Sequence, residues 1–198
     1  ILLAASMIVL AGSVSGQRAE ISLTLPAGDH PRQPIVADVV GDGREDLIVE
    51  SYFDDLRIYE STPAGLVGPS LLTLPPLTTF VKVADIDGDG ANDIFGANFN
   101  EVVVAFNTGA GFSVQLLPVG SLTRGPAFVA DFAGDGLADV MRGFEWIRQT
   151  APGVFAPSVP MNLAGYTIPG ASMYDEQGQF AVGDIDGDGD PDLVNEHV

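Results

Sequence analysis

Four stretches of this chain spell the same acidic loop between two apolar runs. They are residues 36–48 (VADVVGDGREDLI), 83–95 (VADIDGDGANDIF), 129–141 (VADFAGDGLADVM) and 182–194 (VGDIDGDGDPDLV). The lead aspartates Asp38, Asp85, Asp131 and Asp184 stand 47, 46 and 53 residues apart. A period of this size signals a repeat architecture.

A second element recurs between the loops. Thr62–Gly65 (TPAG), Thr108–Gly111 (TGAG) and Thr150–Gly153 (TAPG) each read as a turn closed by glycine ahead of another apolar run. Prolines 75, 76, 118, 126, 157, 160 and 169 precede the next repeats and mark connections or edge strands. The second repeat then predicts four short strands, at Phe80–Ala84, Asp93–Ala97, Val102–Phe106 and Phe112–Leu117. No stretch after the N-terminal segment sustains a helical apolar period. Four strands per repeat is the arithmetic of a β-propeller blade. Spacing alone also admits a sandwich or a solenoid, although a sandwich would not ordinarily repeat one acidic loop four times. The expected fold class is therefore all-β, with blades of four antiparallel strands.

The loop carries the chemistry. In the second copy Asp85, Asp87 and Asp89 alternate with other residues, and Asp93 closes the set. Crowding four carboxylates into nine residues is costly unless a cation offsets the repulsion. Calcium suits such a site, taking six to eight oxygens at about 2.3–2.6 Å in irregular geometry, whereas magnesium demands a stricter octahedron. Gly88 and Gly90 let the backbone curl so that alternate side chains converge, and the Ala91 carbonyl would add an uncharged ligand. The fourth copy matches it with Asp184, Asp186, Asp188 and Asp192. The first and third carry Val40 and Ala133 in place of the second carboxylate, leaving Asp38, Asp42, Asp46 and Asp131, Asp135, Asp139. Up to four calcium ions are expected, the loops at Asp85 and Asp184 binding most tightly because they have the most charged ligands. Tight turns alone would also use Asp and Gly. Four copies at one spacing favour the metal reading.

An EF-hand opens its loop in the same way but needs a Glu at position 12 and helices on both sides. Position 12 here is Val49, Gly96, Arg142 and Asn195, and the flanks are strand-like. Sixteen of the 27 acids lie in the four loops, so the net charge of −19 is largely a property of these loops. A chain with only 8 Lys and Arg is unsuited to a nucleic-acid backbone. With no cysteine it has no disulfide, thiolate metal site or cysteine nucleophile.

Residues 83–96 (VADIDGDGANDIFG) resemble the FG-GAP, or VCBS-type, repeat, with Phe95 and Gly96 at the family's Phe-Gly signature. The resemblance extends over about residues 35–198. It implies a propeller like the integrin α-subunit head, with calcium held between the first two strands of a blade by the aspartates already named. It also implies an extracellular binding or adhesion module for a protein or carbohydrate ligand. The alternative is a non-catalytic propeller within a larger secreted lyase or hydrolase.

The expected organisation is a signal-peptide remnant at 1–16, a lead-in segment with a candidate outer strand at 17–34, and propeller repeats at 35–198. The repeats fall at about 35–82, 83–128, 129–181 and 182–198, an arc of a larger propeller of about seven blades. The leader reading rests on an uncharged apolar run, Ile1–Ala11, followed by small residues to Gly16. The run is short of the ~20 residues of a membrane span. Secretion to the cell exterior follows from that leader. No catalytic constellation is visible. His30 and His197 read as surface residues, and no nucleophile elbow or zinc-protease helix is present. Tyr52, Phe53, Phe99, Phe144 and Trp146 follow the second strands and are candidates for stacking on sugars or for packing between blades.

Overall fold

A computed structural model describes residues 5–11, 20–28, 30–51, 55–120, 125–160, 180–189 and 191–195. Every regular element among them is a strand. Two compact units are present, Ile1–Asp38 with Gly43–Pro76 and Val39–Asp42 with Leu77–Val198.

The first unit begins with a hairpin of β1 (Ala5–Ala11) and β2 (Glu20–Gly28). The segment at Glu20 forms a strand, paired with part of the segment assigned to the leader and not with a four-stranded sheet. A four-stranded antiparallel sheet follows, in the order β3 (Pro31–Ala37), β4 (Asp46–Ser51), β5 (Leu56–Thr62) and β6 (Gly65–Leu72). Every residue of β4 is buried, as an inner strand requires, whereas β6 is largely exposed. Leu47, Val49 and Tyr59 form its core, with Leu25 and Leu66 packed against them. The Tyr59 hydroxyl donates to the Pro26 carbonyl and so ties the hairpin to the sheet.

The second unit repeats this plan. β7 (Thr79–Ala84), β8 (Asp93–Ala97), β9 (Glu101–Asn107) and β10 (Phe112–Pro118) form a sheet in chain order. All four strands lie within two residues of the expected bounds. The next sheet runs β11 (Ala127–Ala130), β12 (Asp139–Arg142), β13 (Glu145–Ile147) and, after a separate hairpin of β14 (Gln149–Ala151) and β15 (Val154–Phe155), β16 (Val159–Pro160). Its outer strand is short because Pro157 and Pro160 offer no N–H to a ladder. β17 (Phe180–Gly183) and β18 (Asp192–Asn195) pair as a final hairpin.

Prolines inside four-stranded sheets sit only on edge strands: Pro31 and Pro34 on β3, Pro69 on β6, Pro118 on β10 and Pro160 on β16. Donor loss is harmless there. One apolar cluster joins two sheets of the second unit: Ile86, Phe95, Val102, Val104 and Leu117 pack with Ala127, Val140 and Ile147. Among the described residues no helix is long and apolar enough to cross a membrane.

Candidate cation loops

Each acidic loop joins the first two strands of its sheet, where the pattern predicted it. In the second loop, Asp85 folds the chain around its own carboxylate. Its Oδ1 accepts from the Gly88 N–H at 2.8 Å and its Oδ2 from the Gly90 N–H at 3.0 Å. Gly88 and Gly90 have φ of 76° and 90°, a left-handed region that glycine enters without steric cost. Asp87 Oδ1 accepts from Asp89 N–H at 3.3 Å, and Asp89 Oδ1 from Ala91 N–H at 2.8 Å. Each of these three aspartates has a carboxylate oxygen within 4.8 Å of the others. Burial, opposed by the Asp89 N–H and assisted by the charges of Asp89 and Asp85, pushes the Asp87 carboxyl above the usual aspartate range.

The fourth loop has the same construction. Asp184 accepts from Gly187 N–H at 2.7 Å and Gly189 N–H at 3.1 Å, and Asp186 from Asp188 N–H at 3.1 Å. Asp184, Asp186 and Asp188 also converge within 4.8 Å. These two groups could hold a metal ion, and their donors are hard oxygens of the kind calcium takes.

The closing aspartates lie outside both converging groups. Asp93 is fully buried; its Oδ2 accepts from Ile86 N–H at 2.9 Å and its Oδ1 from Asn107 N–H at 2.8 Å. It therefore ties the start of the loop to the end of β9. Burial raises its pKa, against the two amides that stabilise its charge. Asp192 Oδ2 accepts from Ile185 N–H at 2.8 Å, the same bond in the fourth loop. Asp46 Oδ1 accepts from Ser61 N–H at 2.9 Å, and Asp139 Oδ1 from Gln149 N–H at 2.7 Å.

The first and third loops keep the turn but do not gather three carboxylates among the described residues. Asp38 Oδ2 accepts from Gly43 N–H at 2.7 Å, while Val40 and Asp42 are exposed. In the third loop Asp131 accepts from Asp135 and Gly136 N–H at 3.0 and 2.7 Å. Asp135 is paired with Arg148 at 2.8 Å, and that hydrogen bond holds its carboxyl below the usual range. The Phe132 N–H donates to the Ala130 carbonyl at 2.9 Å, where the equivalent N–H of the second and fourth loops donates to the closing aspartate.

Two residues that motif reading passed over hold the loops in place. Asn107 ends β9 and Gln149 begins β14, and both are buried. Asn107 Nδ2 donates to the Val39 carbonyl at 2.9 Å and the Asn92 carbonyl at 3.3 Å. Gln149 Nε2 donates to the Ile86 carbonyl at 2.9 Å and the Ala138 carbonyl at 2.6 Å. The available signal was a polar residue directly before each turn threonine: Ser61, Asn107 and Gln149. Of the aromatic candidates, Phe99 is exposed, Phe144 and Trp146 are half-buried, and Tyr52 and Phe53 lie outside the described residues. His30 is exposed, and His197 lies outside the described residues.

Comparison with known families gives a match over the second and third loops. Residues 85–141 match the model of the FG-GAP-like repeat. The matched stretch runs from Asp85 through the third loop to β12. Among solved structures the chain is similar to a lectin of Agrocybe aegerita described for specific recognition of non-reducing terminal N-acetylglucosamine. The TM-score is 0.64 at 18% identity, over 95% of this chain and 54% of the lectin. It is also similar to the Tc holotoxin pore of Photorhabdus luminescens, with a TM-score of 0.50 at 20% identity, over 81% of this chain and 8% of that one. The chain thus spans about half the length of the lectin. At these identities the likeness is one of fold, and the four-stranded antiparallel sheets are those of β-propeller blades. No curated protein matches the sequence.

Proposed function

We propose that the chain is a calcium-stabilised β-propeller module that binds a carbohydrate or protein ligand outside the cell. The observation that carries this reading is the convergence of Asp85, Asp87 and Asp89, repeated by Asp184, Asp186 and Asp188 at the same spacing. Calcium held there would neutralise crowded carboxylates, and the loop's own amides already orient Asp85 and Asp184. The FG-GAP-like match supports calcium as the ion, and the likeness to a lectin supports carbohydrate as one ligand class. The uncharged run at 1–16 supports export as a cleavable leader; its cleavage would remove β1.

An ion that binds only the folded state raises apparent stability in proportion to ln(1 + [L]/Kd). Thermal melting in millimolar calcium and in excess chelator tests the proposal. A melting temperature that falls on chelation supports it, and identical melts overturn it. A glycan array probed in calcium then separates carbohydrate from protein as the ligand.

A further inference from the structure

We propose that Gln149 is a positioning residue for the Asp85 loop, so that one blade sets the cation affinity of its neighbour. The inference rests on the calcium reading above and concerns a residue outside the acidic motif.

Gln149 is fully buried, and both its side-chain nitrogen and its side-chain oxygen are hydrogen-bonded. Its Nε2 donates to the carbonyls of Ile86 and Ala138, its Oε1 accepts from Gly153 N–H at 2.6 Å, and its own N–H reaches Asp139. Two carbonyls on one side and an N–H on the other admit a single orientation of the amide. The side chain thereby joins the third acidic loop, through the Ala138 carbonyl, to the second, through the Ile86 carbonyl.

Ile86 lies between Asp85 and Asp87, and its side chain is buried in the cluster shared by the two sheets. Its N–H is taken by Asp93 of its own loop and its carbonyl by Gln149 of the next blade. The Gln149 bond is to the peptide plane that links Ile86 to Asp87. Turning that plane would swing Asp87 away from Asp85 and Asp89. Groups that orient a metal's ligands govern affinity nearly as strongly as the ligands do.

Asn107 repeats the device, holding the Val39 carbonyl and Asn92 and accepting from Gly109 N–H at 3.0 Å. The residue after Val39 is Val40, which has no carboxylate to aim. Of the two amides, only Gln149 acts on a peptide that leads into a charged ligand. Among the described residues the Asp184 loop has no bond to Gln149, which makes it an internal reference.

The test is a calcium titration of the full-length chain followed by NMR. The Gly90 amide reports the Asp85 loop and the Gly189 amide the Asp184 loop. Gln149→Met keeps the volume and removes the donors; Gln149→Asn keeps an amide but shortens its reach, and it covers the case in which the first variant does not fold. Calcium affinity at Gly90 should fall roughly tenfold in the variants, with Gly189 unchanged. An unchanged ratio between the two sites, or an equal fall at both, overturns the positioning role while leaving the calcium reading intact. A wild-type chain in which neither amide responds to calcium overturns both.

Discussion

Replacing Asp93 tests whether the closing aspartate is a tie within the blade. Its carboxylate is fully buried and satisfies two buried groups, the N–H of Ile86 at 2.9 Å and that of Asn107 at 2.8 Å. Asp93→Ala leaves both donors without a partner. A buried unsatisfied donor costs about 1–3 kcal/mol, so the variant should lose roughly 2–6 kcal/mol. That is a large share of the ~5–15 kcal/mol that keeps a domain folded. Asp93→Asn keeps one acceptor oxygen and should lose about half as much. The assay is chemical denaturation in chelator, so that no cation contributes. An Asp93→Ala variant within about 0.5 kcal/mol of wild type, the range of an ordinary surface change, would refute the reasoning. The pH dependence has a definite sign. Burial places the folded carboxyl above its unfolded value. Below the unfolded value both states hold the proton and nothing is lost; above the raised value the full cost of ionisation is present. Cation-free wild type should therefore gain on Asp93→Asn as pH falls from neutral through the raised value.

Two further outcomes follow from the loops. Gly90→Ala meets no atom within 4 Å, yet φ of 90° forces its Cβ into a disfavoured backbone region. Denaturation should show a loss of about 1–2 kcal/mol despite the open space. Arg148→Gln removes the partner that depresses the Asp135 carboxyl, so its NMR titration midpoint should rise. The stabilisation from that carboxyl is present above the ordinary aspartate range and disappears as pH falls through the depressed value.

Much of this was legible in the sequence because short-range rules govern it. The alternation of Asp with Gly dictates a curled loop, and apolar runs such as Phe80–Ala84 and Phe112–Leu117 are bounded by glycines, prolines and acids that also end the strands. The motif alone does not separate the duties of identical aspartates. Asp89 lies in the converging group and Asp93 is buried among backbone donors, a difference set by where β9 returns. The pairing of Asp135 with Arg148 spans 13 residues and depends on the tight turn at Gly143 and Phe144. Gln149 and Ile86 are 63 residues apart, and only packing of two sheets brings them together. β1 was hidden by its composition, since an uncharged apolar run serves equally as a leader or as one strand of a hairpin.

Calorimetric titration with calcium, on the wild-type chain and on an Asp87→Asn, Asp186→Asn double variant, tests the central claim most directly. Asp87 and Asp186 each accept one backbone bond through Oδ1, which Asn can preserve, so the loops should survive while a charged ligand is lost from each. Saturable calcium binding by the wild type, lost or strongly weakened in the double variant, is the predicted result. No calcium binding by the wild type, or equal binding by both proteins, would contradict the account.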